Sequence, residues 1–272
     1  MKLFRLSTYR LFRPDFFAHH KKASDPFKVM VMSDLHFSYQ VTNQKLQAII
    51  KQVKTLAPDY VLMPGDLIDT LDMVDKNSER QRLLNFLKKL GQQAMVILSV
   101  GNHDMYRKPT EGQTGWQYEA ASKLFDEIRA LDNVFLLDNQ VYEDENIYCL
   151  GYTQSPKYYR ADKGIVEDMP VLLSELESLP EKYLTHLPEK KLKFALIHSP
   201  VYLNQPEVKY LLREFDYFIS GHMHNGVMPP VLDELINSSR GLISPTKKWA
   251  PENSRNTLRT YADKLLVVGA LT

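Results

Sequence analysis

Ten side chains of metal-binding or proton-carrying type stand directly after apolar runs: Asp34 and His36; Asp66 and Asp69; Asn102, His103 and Asp104; His198; His222 and His224. The chain has eight histidines, and five of them belong to this set. A lone histidine at a strand end is ordinarily a satisfied structural residue, but five, interleaved with carboxylates, form a pattern. Bringing them together costs desolvation and electrostatic free energy unless a cation compensates. Carboxylate, imidazole and amide oxygen donors suit borderline divalent ions such as Mn, Fe and Zn. No cysteine joins the set, which argues against a structural zinc knuckle. The donors are too many for one ion. Two ions about 3.5–4 Å apart are the arrangement that clamps both oxygens of an in-line phosphoryl displacement. A carboxylate such as Asp66 can bridge them.

The elements that must position these residues read as alternating strands and helices. Phe27 to Ser33 is a short apolar run ending in Asp34-Leu35-His36. Gln44 to Leu56 has helical spacing, with Leu46, Ile49, Ile50 and Val53 on one face. Asp59 to Met63 reads as the second strand and runs into Pro64-Gly65-Asp66. Ser78 to Leu90 is predicted as a helix capped by Ser78, with Leu83, Leu84, Leu87 and Leu90 inward. Ala94 to Val100 is the third strand, ending in Gly101-Asn102-His103-Asp104, where a glycine lets the backbone turn sharply. This β-α-β-α-β rhythm predicts a parallel sheet with right-handed crossovers. Ligands of such sheets bind outside the carboxyl ends of the strands.

Further along, Trp116 to Leu131 reads as a helix. Val134 to Leu137, Val141-Tyr142 and Ile147 to Gly151 read as short strands, with Asp138-Asn139 as a turn. Tyr152 to Met169 is irregular. Val171 to Leu179 and Lys182 to Leu187 are candidate short helices around Pro180. Leu192 to Ile197 is a strand ending in His198, Glu207 to Phe215 a helix, and Tyr217 to Ile219 a strand ending in Gly221-His222-Met223-His224. Pro229-Pro230 breaks the chain, and Lys264 to Val268 is the last strand. The sequence stops at Thr272, almost on it, which reads as a trimmed or incomplete chain.

Bulk properties exclude several classes. The 272 residues carry 34 Lys plus Arg and 33 Asp plus Glu, a net charge of +1, so there is no strong nucleic-acid signal. Cys149 is the single cysteine and cannot form an internal disulfide; its apolar neighbours mark it as buried. No stretch approaches the roughly 20 apolar residues of a membrane helix, and Met1 to Lys22 does not read as a secretory h-region. The expected location is cytoplasmic. Residues 1–25 read as an N-terminal basic and aromatic arm, and 26–272 as one domain with a cap or insert at 152–190. Within the arm, residues 1–22 carry Phe4, Tyr9, Phe12, Phe16 and Phe17 among Lys2, Arg5, Arg10, Arg13, Lys21 and Lys22. It packs on the domain's own surface or touches anionic lipid at the inner face of a membrane.

The ordered set D-x-H, G-D-x-x-D, G-N-H-D, H and G-H-x-H resembles the calcineurin-like metallophosphoesterase superfamily. All five blocks occur in order between Asp34 and His224. The stretch after Gly221, with Asn225-Gly226, Pro229-Pro230 and Arg240-Gly241, is similar to a bacterial branch of small, often membrane-associated members. The resemblance implies a four-layer α/β/β/α sandwich. It also implies that Asp34, His36, Asp66 and His224 hold a first metal. Asp66, Asn102, His198 and His222 would hold a second, with Asp66 bridging. His103 would face the scissile phosphate, oriented by Asp69 or alternatively Asp104, and a hydroxide between the metals would attack. Mn is the ion expected to serve best in vitro.

The implied activity is a dinuclear-metal-dependent hydrolase of a phosphomonoester, phosphodiester or pyrophosphate ester, its substrate nucleotide- or lipid-linked. A nuclease on the same site and a catalytically inactive metal-binding scaffold are the alternatives. The Tyr-rich loop is either a surface excursion or a cap that selects substrate, with Tyr152, Tyr158, Tyr159, Lys157 and Arg160 nearby. His186 reads as a surface residue.

Overall fold

The computed structural model describes residues 27–108, 110–111, 117–119, 121–159, 167–224, 257–259 and 265–268. The N-terminal arm, Trp116, Arg160 and the segment with Pro229-Pro230 and Arg240-Gly241 lie outside the described residues.

In chain order the elements begin with β1 (Val29–Val31), α1 (Asn43–Leu56), β2 (Tyr60–Pro64), α2 (Leu71–Asp75), α3 (Asn77–Gly91) and β3 (Met95–Ser99). A 3-10 turn at His103–Met105 leads into β4 (Tyr106–Arg107) and β5 (Gln117–Tyr118), then α4 (Ser122–Arg129) and β6 (Val134–Leu137). Next come β7 (Gln140–Glu143), β8 (Ile147–Tyr152), α5 (Pro156–Tyr159) and α6 (Met169–Glu177). The described elements end with β9 (Leu192–Ile197), α7 (Pro206–Leu211), β10 (Tyr217–Ser220), β11 (Thr257–Arg259) and β12 (Leu265–Val267).

Two sheets carry the fold. The first is all parallel, in the order β1-β2-β3-β6. The second is mixed, in the order β11-β12-β10-β9-β8-β7, with β8, β9, β10 and β12 parallel and its outer strands antiparallel. Alternation along each strand sorts side chains onto two faces. In β2, Val61 and Met63 face α1, α3 and α4, while Tyr60 and Leu62 face the other sheet. In β9, Phe194 and Leu196 face the first sheet, while Ala195 and Ile197 face α5, α6 and α7. The result is the expected α/β/β/α sandwich: helices, sheet, sheet, helices. Cys149 is fully buried between the sheets, and burial pushes its thiol far above the ordinary range.

Several helix boundaries depart from the sequence reading. Ser78 is not a cap: α3 begins one residue earlier, after a break at Lys76 that separates it from α2. Thr42 does cap α1, its hydroxyl accepting from Lys45 N. The helix expected from Trp116 starts only at Ser122, because Gln117–Tyr118 pairs with Tyr106–Arg107 as an antiparallel ribbon. The irregular stretch after Tyr152 contains one helical turn, α5, whose Tyr158 and Tyr159 are buried. Lys182 to Leu187 holds a 3-10 turn at Glu181–Tyr183 instead of a helix.

Candidate metal centre

Each candidate ligand leaves the carboxyl end of a strand: Asp34 and His36 follow β1, Asp66 follows β2, Asn102 follows β3, His198 follows β9, and His222 and His224 follow β10. The loops are zipped together by main-chain bonds. His36 N donates to Asp66 O at 3.1 Å, Phe37 N to Leu67 O at 2.9 Å and Asp69 N to Phe37 O at 3.2 Å. Arg82 of α3 clamps the first loop from outside, donating to the carbonyls of Ser38 and Val41 with its guanidinium over the Phe37 ring. Two further bonds cross from sheet to sheet. His222 N donates to Asp34 Oδ1 at 2.9 Å, and His198 Nδ1 donates to Pro64 O at 2.7 Å.

Glycines permit this approach. A Cβ on Gly221 would stand 2.0 Å from Ser33 Oγ and 2.3 Å from Asp34 Oδ2, and one on Gly101 would stand 2.3 Å from Asp66 Oδ1. The ligand-bearing residues themselves adopt left-handed backbone: φ is 53° at Asp34, 41° at His36, 52° at Asp66, 67° at His222 and 45° at His224. Such strain is held only where the surroundings over-determine it, and it clusters at functional sites.

The donor atoms of the candidate ligands converge in two groups, Asp34 with His36 and His224, and Asp66 with His198 and His222, and a third group joins His36 with Asp69 and His103. His36 Nε2 lies 3.9 Å from Asp34 Oδ1 and 3.7 Å from Asp66 Oδ2, and His198 Nε2 lies 3.0 Å from the same Asp66 Oδ2. Asp66 Oδ1 is taken by the His103 N–H at 2.9 Å. The oxygen that histidines of both groups approach is Oδ2. All the sequence-predicted ligands except Asn102 fall in these two groups. Asn102 is buried beside them, and its Oδ1 has no hydrogen-bond partner among the described residues.

The arrangement fits cations. His36 Nε2 and His224 Nε2 face each other at 3.1 Å, although both rings lean toward the neutral form through burial, His36 down to about 3. His198 Nε2 is fully buried, and its contact with Asp66 is not aligned as a hydrogen bond. Two ring nitrogens in close approach and an orphaned amide oxygen are what a divalent ion would satisfy. Charge is strained too. Burial pushes the Asp34 carboxyl up to about 6, His198 pulling against it and Asp66 adding to the rise. Burial opposes the charge on Asp66, yet His198, His103 and His36 hold its carboxyl well below the ordinary range. Burial also opposes a proton on His198, but Asp66 and Asp34 raise that imidazole to about 9.

His103 stands at the rim of the centre, its ring edge-on to His36 with centroids 4.6 Å apart. Asp69, the residue expected to orient it, contacts it through the main chain: Nδ1 meets the backbone carbonyl of Asp69 at 2.7 Å, where the loop after β2 passes under the ring. The Asp69 carboxylate remains in the same cluster, and Lys108 Nζ lies 3.9 Å from it. The alternative orienter named from the sequence is Asp104. It is buried and accepts from Gly101 N and Ile68 N at 2.8 and 3.0 Å, tying the loops after β2 and β3 together. His186 takes no part; its N–H donates to Glu214 in a surface loop.

One site residue has no counterpart in the sequence reading. Glu167 is 2% exposed, and its Oε1 lies 3.3 Å from His222 Nε2. It follows no apolar strand run, so nothing in the pattern of strand ends points to it. Tyr159, in the expected cap, packs its ring 5.6 Å from His222.

Comparison with known proteins places this geometry. The profile of the calcineurin-like phosphoesterase family matches residues 27–226. The chain is 34% identical over 88 residues to a zebrafish (Danio rerio) protein described as a transmembrane protein with metallophosphoesterase domain, covering 31% of this chain and 18% of that one. It is 24% identical over 206 residues to an uncharacterised metallophosphoesterase of Campylobacter jejuni, covering 75% of this chain and 46% of that one. The chain thus spans less than half the length of these relatives. Among solved structures, a dimetal phosphatase from Danio rerio superposes with a TM-score of 0.44 at 15% identity, over 73% of this chain and 82% of that one.

Proposed function

The chain belongs to the calcineurin-like phosphoesterase family, and from that membership we propose that it is a metal-dependent phosphoric ester hydrolase with a dinuclear centre. One observation carries the reading: two Asp/His donor groups, contributed by both sheets, meet around a single Asp66 oxygen. Asp34, His36, Asp66 and His224 would hold one cation, and Asp66, Asn102, His198 and His222 the other. Bound there, two divalent ions supply an acidified water and a clamp on the phosphoryl oxygens.

The chain's own residues do the rest. The Asp69 carbonyl holds the Nδ1 proton of His103, which leaves Nε2 as the nitrogen that meets substrate. From the rim it stabilises charge on the phosphoryl group or gives its proton to the leaving oxygen. The Asp66 carboxylate accepts the His103 main-chain N–H, so the carboxylate that would serve both cations and the residue that would meet substrate are fixed to one another. Asp104 and the glycines hold the loops in register.

Mn, Fe and Zn all suit the donor set, and Mn is our choice in vitro. For substrate we propose a small diester or a nucleotide- or lipid-linked pyrophosphate ester. The basic, aromatic residues 1–22 support contact with anionic lipid at the inner face of a membrane, in keeping with the small membrane-associated branch and with the transmembrane relative. No helix among the described residues is long and apolar enough to cross a membrane. The test is a panel of aryl phosphate monoester, aryl phosphodiester and nucleoside-diphosphate-linked lipid with added Mn. Turnover abolished by chelator and reduced at least 100-fold in His103→Ala is expected. Turnover indifferent to both would overturn the proposal.

A further inference from the structure

Three histidines of the centre are each held through one ring nitrogen. His198 gives Nδ1 to the Pro64 carbonyl at 2.7 Å, and His103 gives Nδ1 to the Asp69 carbonyl at 2.7 Å. His222 differs: its partner is a carboxylate, Glu167 Oε1, 3.3 Å from Nε2. We propose that Glu167 is a positioning residue for the metal centre, fixing His222 with its proton on Nε2 so that Nδ1 is the nitrogen offered to the second cation. This rests on the dinuclear reading above.

The surroundings are built for that contact. Glu167 is 2% exposed, and burying a carboxylate is costly unless a donor or positive charge meets it. Its backbone is held left-handed at φ 62°, a conformation a glutamate rarely keeps without outside support. That support is visible on both sides. The Tyr202 hydroxyl donates to the Glu167 carbonyl at 3.4 Å. The next residue, Asp168, caps α6 by accepting from Val171 N at 3.2 Å. The buried Tyr159 ring packs against the His222 imidazole, its plane tilted 52° to it. The main chain of His222 is pinned independently, its N–H on Asp34 Oδ1. The residue is thus held at its main chain, by a neighbouring ring and at its outer nitrogen. A carboxylate on the outer nitrogen sets the tautomer and raises the basicity of the other nitrogen, and losing such a partner typically weakens metal binding 10–100-fold.

The experiment uses the full chain with 15N-labelled histidine. A long-range proton–nitrogen correlation spectrum of the Zn-loaded protein is expected to show His222 protonated on Nε2 and metal-shifted on Nδ1. Equilibrium dialysis with Mn is expected to show two sites in the wild type. In Glu167→Ala one of them should weaken about 10–100-fold while the other is unchanged. Glu167→Gln, which keeps the shape and an acceptor oxygen, should show a smaller loss, and it guards against misfolding of the alanine variant. A His222 metal-shifted on Nε2, or two unchanged Mn sites in a folded Glu167→Ala protein, would overturn the inference while leaving the dinuclear reading intact. A wild-type protein that takes up no Mn or Zn would overturn both.

Discussion

The candidate ligands hold their positions at a local cost. Five of the seven, Asp34, His36, Asp66, His222 and His224, sit in left-handed backbone, at about 1–3 kcal/mol each. What keeps them there is the absence of a side chain next door. Gly221→Ala would drive a Cβ into Ser33 and Asp34, so we expect a loss of about 1–3 kcal/mol in urea titrations. A parallel loss of Mn uptake should be seen by dialysis. Protonation is the other residue-scale lever. The His198 pKa is raised from 6.5 to about 9, so its stabilisation is complete below pH 6.5 and is lost as pH climbs through 9. The lowered His36 acts the opposite way, its contribution lost only as pH falls below 6.5 toward 3. The raised Asp34 and Asp104, at about 6 and about 7, make stability decline as pH rises to those values and are spent above them. Between pH 7 and 9 His198 therefore dominates. Chelator-treated protein should lose on the order of 2 kcal/mol across that interval, read from denaturant midpoints. Saturating Mn should flatten the slope, since the ion takes the proton's place.

At the scale of elements, what could be read in the sequence was whatever repeats locally. The strands of both parallel arrays are continuous apolar runs, and their ends coincide with polar ligand types, so β2, β3, β9 and β10 and the residues after them are visible without coordinates. The β4–β5 ribbon is not. Gln117–Tyr118 lies inside a stretch with helix-compatible spacing, and only its pairing with Tyr106–Arg107 makes it a strand. Glu167 was equally hidden, since a single carboxylate in an irregular segment carries no period; closure of the chain around Tyr159 and Tyr202 brings it to His222. Likewise the contact of His103 with a carbonyl depends on a main-chain path that residue types do not encode. The sheets are also joined at the edge away from the centre. There the hydroxyls of Tyr60 and Tyr142 both donate to Asp144 Oδ2, at 2.7 and 2.9 Å. Tyr60→Phe should cost about 1–2 kcal/mol in urea titrations yet leave Mn affinity unchanged, because no ligand loop lies at that edge.

For the whole molecule, the division of labour between sheets matters most. Asp34, His36, Asp66 and Asn102 follow strands of the first sheet, and His198, His222 and His224 follow strands of the second. Either proposed cation would draw on both, and so would clasp the two halves of the sandwich. Saturating Mn at about 1,000 times its dissociation constant should add about 4 kcal/mol per site. Calorimetry should show this as one cooperative transition moving upward, and chelator should return it to the starting temperature. Two separately melting halves with only one sensitive to Mn would contradict that coupling.

The ligand set opens at Asp34 and closes at His224, 190 positions further along the chain. A growing polypeptide emerging from the ribosome therefore owns no finished cage until nearly all of this span has been synthesised and the second half has docked. Metallation then follows the docking of the two sheets, and the ion captured is set by the pool that the assembled sandwich meets, not by whichever ion is first to touch the young chain.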